Sequence, residues 1–151
     1  MTDAAGIFTR ESTYLDRYVQ LGIAQGRVLS VEFPTERPPD ASTDHELLDR
    51  IQAYLDGAKD EFDDVQIALT MPTAEREVLE AVRTIPYGEQ VSVEQLARMI
   101  PGRNVEDSDE LRTIREALAS NPVPILVPTH RVRDGPCGAP PDVETKLQSL
   151  E

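Results

Sequence analysis

The chain is poor in lysine, histidine and cysteine. Among its 151 residues only Lys59 and Lys146 are lysines, only His45 and His130 are histidines, and Cys137 is the sole cysteine. One cysteine excludes an intrachain disulfide and agrees with a reducing cytoplasm. No Cys/His cluster exists, so a zinc site is not expected, and a carboxylate-only metal site cannot be read from so acidic a chain. There is no Gly-rich phosphate loop and no internal repeat, so no cofactor is expected. No apolar run approaches the roughly 18 residues of a membrane span. The amino terminus lacks the basic and apolar regions of a secretory signal. The expectation is a cytoplasmic protein without a membrane partner.

Positive charge is also scarce. The chain carries 28 acidic against 15 basic residues, a formal net charge of −13. Alone, this argues against nucleic acid, whose partners usually show a basic footprint. Yet thirteen of the basic residues are arginines, and an acidic, lysine-poor surface is also what halophilic adaptation produces. In concentrated salt, counterion release adds little to DNA affinity. Recognition then rests on shape, base contacts and apolar insertion.

With 39% apolar residues the chain can bury a core, and its segmentation suggests two lobes: residues 1–70, small and α/β, and residues 71–151, mainly helical. Residues 18–24 and 28–33 alternate as strands around Gln25-Gly26-Arg27, a hairpin. Residues 44–62 carry a helical stripe of Leu47, Leu48, Ile51, Tyr54 and Leu55, and residues 65–69 suggest a further strand. Residues 34–44 hold three prolines and read as a surface loop. In the second lobe Thr73 opens a helix whose apolar face is Val78, Leu79, Val82 and Ile85.

Ser92, with Gln95 three residues on, has a capping-box pattern ahead of Val93, Leu96, Ala97 and Ile100, and Pro101-Gly102 stops that helix. A second helix, capped by Ser108 or Asp109, carries Leu111, Ile114, Ala117 and Leu118 on one face. The pair reads as a helix-turn-helix with a long linker over residues 103–110, four of which are acidic. Residues 125–127 read as a short strand, residues 134–141 as an irregular loop, and a last helix starts near Pro141.

Residues 121–133 read NPVPILVPTHRVR, preceded by Ile85-Pro86-Tyr87-Gly88-Glu89 and by Ser92-Val93-Glu94-Gln95-Leu96-Ala97. In that order these resemble the marks of the alkylguanine-DNA alkyltransferases (methylated-DNA–protein-cysteine methyltransferases). The family's active-site segment ends in Pro-Cys-His-Arg-Val, and its cysteine accepts the alkyl group from O6 of guanine. Here that position is Thr129, so the chain resembles the cysteine-less, alkyltransferase-like members. A threonine hydroxyl stays protonated and cannot replace a thiolate.

The resemblance implies an α/β (α+β) fold with double-stranded DNA, alkylated at guanine or unmodified, as partner, and a repair-pathway protein as a further one. It implies base flipping into a pocket shared by Arg112, Thr129 and His130, with Arg112 as the finger entering the stack. His130 takes the general-base position, and Tyr87, Ser92, Asn121 and Arg131 join the DNA-binding set. Several alternatives stay open. Arg112 is either the finger or an exposed residue paired with Asp109, Glu110 or Glu116. Tyr87 either contacts DNA or packs its turn. Glu151 is either the partner of His130 or, as preferred here, a solvated chain end. Cys137 is either a relocated nucleophile or, as preferred, an inert loop thiol. Val93 stands where the family has a tyrosine that helps to extrude the nucleotide. Three functions compete: lesion binding without transfer, active transfer through another residue, and a degenerate scaffold for protein contacts.

Overall fold

Gln25 and Gly26 both take positive φ, 53° and 75°, the pairing that lets a two-residue turn match the twist of a hairpin. The hairpin expected there forms between β2 (Arg17–Ala24) and β3 (Arg27–Glu32), closed by the Ala24–Arg27 pair. In this computed structural model, residues 6–37, 42–43, 45–102 and 106–151 are described. Parts of the expected 34–44 loop and 103–110 linker therefore lie outside the described residues. A strand not anticipated from sequence, β1 (Gly6–Ser12), adds to β2, giving an antiparallel sheet of order β1-β2-β3. Its one-sided burial is weakly patterned, with adjacent Phe8 and Thr9 both buried, so strict alternation misses it.

Helix α1 (Glu46–Leu55) packs against β1. It is shorter than the expected stretch because Gly57, at φ 111°, leaves the helical region just after Asp56. His45 caps it, its Nδ1 accepting from Leu47 N–H at 3.0 Å. The anticipated stripe Leu47, Leu48, Ile51, Tyr54 and Leu55 is buried. Each aliphatic member contributes about 1.5–3 kcal/mol on full burial. Residues 65–69 are not a strand: a single parallel bridge joins Ile67 to Val28, held by Val28 N–H to Gln66 O and Ala68 N–H to Val28 O.

Helices α2 (Thr73–Val82), α3 (Val93–Met99) and α4 (Ser108–Ala119) pack on one another, and α5 (Pro141–Leu150) closes against the segment around residue 130. Thr73 is the first helical residue rather than a cap; Pro72 holds the cap position without a side-chain bond. The cap of α4 is Asp107, whose carboxylate accepts from Asp109 N–H at 2.9 Å, and not Ser108 or Asp109. Ser92 and Gln95 make both bonds of the capping box on α3. The core is continuous across the halves, and edge strand β3 reaches the second one through Val31 N–H to Pro122 O at 2.8 Å.

Candidate functional site

Asn121 follows α4 and organises the turn after it. Its Nδ2 donates to Val127 O at 2.9 Å and to Thr129 Oγ1 at 3.1 Å, while its Oδ1 accepts from Val123 N–H at 3.0 Å. The expected strand at residues 125–127 is absent. Ile125 sits at φ 77°, a left-handed conformation that a β-branched residue rarely adopts, and Val127 N–H turns back to Val123 O. That turn delivers Thr129, His130 and Arg131 on one 3-10 turn with all three side chains buried.

His130 Nε2 lies 2.8 Å from Glu151 Oε2 and 3.2 Å from the Tyr54 hydroxyl, which itself donates to Glu151. A carboxylate only accepts, so Nε2 carries a hydrogen and a neutral imidazole has its lone pair on Nδ1. Arg131 completes the cluster. It donates to Glu151 from Nε at 2.8 Å and from Nη2 at 2.9 Å, and to Ile85 O from Nη1 at 2.6 Å. Burial alone would push the Glu151 carboxyl up, but hydrogen bonds from His130, Arg131 and Tyr54 hold it well below the usual range. Burial and the bond to Glu151 push the Tyr54 phenol far up.

Two expectations are corrected here. Glu151 is not a solvated chain end: its side chain is 6% exposed and accepts from Tyr54, His130, Arg131 and Gly88 N–H. Arg131 is not free to meet DNA, because its guanidinium is 4% exposed and used internally. Tyr87 is half-buried, edge-on to Tyr54 and within 5.7 Å of the Arg131 guanidinium, which is the turn-packing alternative.

Thr129 is wholly buried. Its hydroxyl is covered by Cys137, whose Sγ lies 3.2 Å from Oγ1. The loop carrying Cys137 is seated at two glycines: a Cβ on Gly138 would come within 2.3 Å of Asn121 O, and one on Gly135 within 2.8 Å of Leu118 Cδ1 and 3.1 Å of Val93 Cγ2. Asp134 also accepts from Val93 N–H at 2.7 Å. Burial pushes the Cys137 thiol up, although the Thr129 hydroxyl and the backbone N–H of Ala139 oppose this. Arg112 stands on the exposed face of α4, its side chain 71% exposed and 3.1 Å from Asp109. Thr129 and His130 are buried whereas Arg112 is exposed, so among the described residues the three do not line one open pocket, contrary to the shared pocket expected from sequence.

Sequence reasoning missed Tyr54, Glu61 and the placement of Cys137. The first had a signal, since a tyrosine in an apolar stripe needs a partner for its hydroxyl. Glu61, which accepts from Tyr87 N–H at 2.8 Å, had none. Among the described residues no group of three or more His, Cys, Asp or Glu is placed to hold a metal, and no helix is long and apolar enough to cross a membrane.

The profile of the 6-O-methylguanine DNA methyltransferase DNA-binding domain matches residues 73–150. A methylated-DNA–protein-cysteine methyltransferase of Methanopyrus kandleri is 36% identical over 129 residues, 82% of this chain and 93% of that one. The Mycobacterium tuberculosis enzyme of the same name is 35% identical over 100 residues, 65% of this chain and 56% of its own. In fold, the chain is similar to the M. tuberculosis protein solved in complex with DNA, with TM-score 0.73 at 24% identity over 95% of this chain and 91% of that one. It is also similar to the Pyrococcus kodakaraensis O6-methylguanine-DNA methyltransferase, with TM-score 0.69 at 19% identity over 96% and 98% of the two chains.

Proposed function

The chain belongs to the 6-O-methylguanine DNA methyltransferase family, and from that premise we propose that it binds duplex DNA, with preference for alkylated guanine, without accepting an alkyl group at residue 129. What supports this reading is the hydroxyl of Thr129, at the position that the sequence resemblance gives the acceptor, held by Asn121 beside a His130 held by Glu151. Attack on an alkyl carbon needs a soft, ionised nucleophile. The threonine hydroxyl supplies neither property, and its branched Cβ fixes the rotamer.

In this reading residues 71–151 face the DNA and residues 1–70 brace them. Helices α3 and α4 act as a helix-turn-helix, and Arg112 enters the stack in place of a flipped base. The loop over residues 134–140 must swing off Thr129 for that base to enter. The acidic, arginine-rich composition fits work in a salt-rich cytoplasm, where the acidic linker is screened from phosphate. A repair-pathway protein would then act on the marked site. The test is duplex binding in molar salt, comparing methylguanine and unmodified duplexes for the parent and Arg112→Ala. Preference for the lesion, lost in the variant, is expected. Equal affinity for both duplexes in the parent sinks lesion sensing, and no duplex binding at any salt leaves the scaffold function.

The contact of Cys137 with Thr129 favours one second reading, transfer to the relocated thiol. The sulfur would attack the methyl carbon, the bond to guanine O6 would break with its electron pair kept by the base, and the thiol proton would end on the guanine ring. Intact-mass measurement after incubation with methylguanine duplex decides it. A methyl gained by the parent and not by Cys137→Ala supports transfer, and an unchanged parent mass removes it.

A further inference from the structure

Three arginines without carboxylate partners converge on one groove, away from the cluster around residue 129. Arg76 lies on α2 and Arg83 at its C-cap, seven residues apart and so on one helical face; Arg27 comes from the start of β3. Together with Ile67, Leu69 and Leu79 they line an open groove of about 430 Å³. Among the described residues, Arg10, Arg17, Arg50, Arg112 and Arg131 each have a carboxylate within ion-pairing distance, and Arg27, Arg76 and Arg83 are among the arginines that do not. Asp63 and Asp64 act on Arg83 through space and Glu80 lines the same groove, but none of these carboxylates is within ion-pairing distance of the three guanidinium groups, whose remaining donors therefore stay open to an anion.

Arg83 is the best placed of the three. Its Nη2 donates to Phe62 O at 2.6 Å and also to Val65 O, which fixes the guanidinium plane. Its Nε is buried and has no acceptor, and an unsatisfied buried donor costs about 1–3 kcal/mol. Planar guanidinium forks match the oxygens of a phosphate. The wall beside them is apolar, from Ile67, Leu69 and the buried Leu79, while Thr70 adds a hydroxyl and Glu80 a carboxylate to the lining. A volume at the small end of ligand sites suits a phosphate joined to one flat organic group.

We propose that this groove binds a nucleotide, with its phosphate on Arg27, Arg76 and Arg83 and its base against Ile67, Leu69 and Leu79. The proposal is independent of lesion recognition, because it requires neither a duplex nor the cluster around Thr129. The source of the nucleotide is either a free nucleoside monophosphate or one unit of a single-stranded DNA.

The test is calorimetric titration of the full chain, without duplex, using guanosine monophosphate, inorganic phosphate and a short single-stranded oligonucleotide. The comparison is the double variant Arg27→Gln/Arg76→Gln, which spares the internal bonds of Arg83. Saturable nucleotide binding is expected, weakened about tenfold or more in the variant at unchanged melting temperature, a loss of at least about 1.4 kcal/mol. Inorganic phosphate should compete only at higher concentration. An oligonucleotide that displaces the nucleotide assigns the groove to a DNA strand, and one that does not assigns it to the free nucleotide. Absence of saturable nucleotide binding, equal binding by the variant, or phosphate binding as tightly as the nucleotide overturns the proposal.

Discussion

The cluster around residue 129 and the outer face of α4 treat their charged groups in opposite ways. In the cluster, His130, Arg131 and Glu151 are nearly excluded from water, and each makes several short bonds to the others, to Tyr54 or to backbone. On α4, Arg112 holds a single exposed contact to Asp109 in the preceding turn of the same helix. A buried ion network fixes geometry at a desolvation cost that only complete pairing offsets. An exposed i,i+3 pair contributes little to stability and leaves the arginine available to another partner. The molecule thus holds residues 129 and 130 in a closed network and leaves Arg112 exposed on the face proposed to meet DNA.

The sharpest way to break this contrast is to remove one member of the buried network. Glu151→Ala leaves the buried Arg131 guanidinium with only Ile85 O and the more exposed Glu61 carboxylate at 3.4 Å, and a loss of about 3 kcal/mol in denaturant unfolding is expected. The same residue sets an acid dependence. Its folded pKa lies below the ordinary glutamate value of 4.5, so its contribution is fully present above that pH and is lost as pH falls through the lower folded value. Unfolding free energies measured downward from pH 5 should therefore fall more steeply for the parent than for Glu151→Gln. Parallel slopes would show that the carboxylate is not held by the cluster.

Asn121→Ala comes next. It removes three bonds and leaves Val127 O and Val123 N–H buried without that partner, an expected cost of about 2–3 kcal/mol. If the variant unfolds at the parent's denaturant midpoint, the turn that delivers Thr129 is held by something other than Asn121.

Much of this arrangement was legible in the sequence, for identifiable reasons. Periodicity located α1 through Leu47, Leu48, Ile51 and Tyr54, and the Ser92-Gln95 spacing located the capping box, because both depend on residues close in sequence. The positive φ of Ile125 was not legible, since a β-branched apolar run normally signals a strand and only the Asn121 bonds impose the turn. The burial of Glu151 was hidden for a similar reason. Its partners Tyr54 and His130 lie 97 and 21 residues away, and no local pattern reports such distances. The position of Cys137 depends on Gly135 and Gly138 packing against Leu118 and Asn121, which a turn-rich composition does not reveal.

The smallest stability effects belong to the exposed helices, and there the comparison is sharpened rather than broken. Ser92→Ala loses the hydrogen bond from Gln95 N–H at 3.1 Å, with an expected cost of about 1 kcal/mol. Arg112→Ala should change unfolding free energy by no more than about 0.5 kcal/mol, since its one partner is solvent-exposed and screened by salt. If Arg112 is held in reserve for DNA, the variant that costs least in folding should cost most in duplex affinity. Glu151→Gln, costly in folding, should leave affinity for unmodified duplex unchanged wherever the chain stays folded. Both variants read by unfolding and by duplex binding at one salt concentration give a crossed pattern if the two regions have separate tasks. A parallel pattern would mean that the cluster and the α4 face act as one unit.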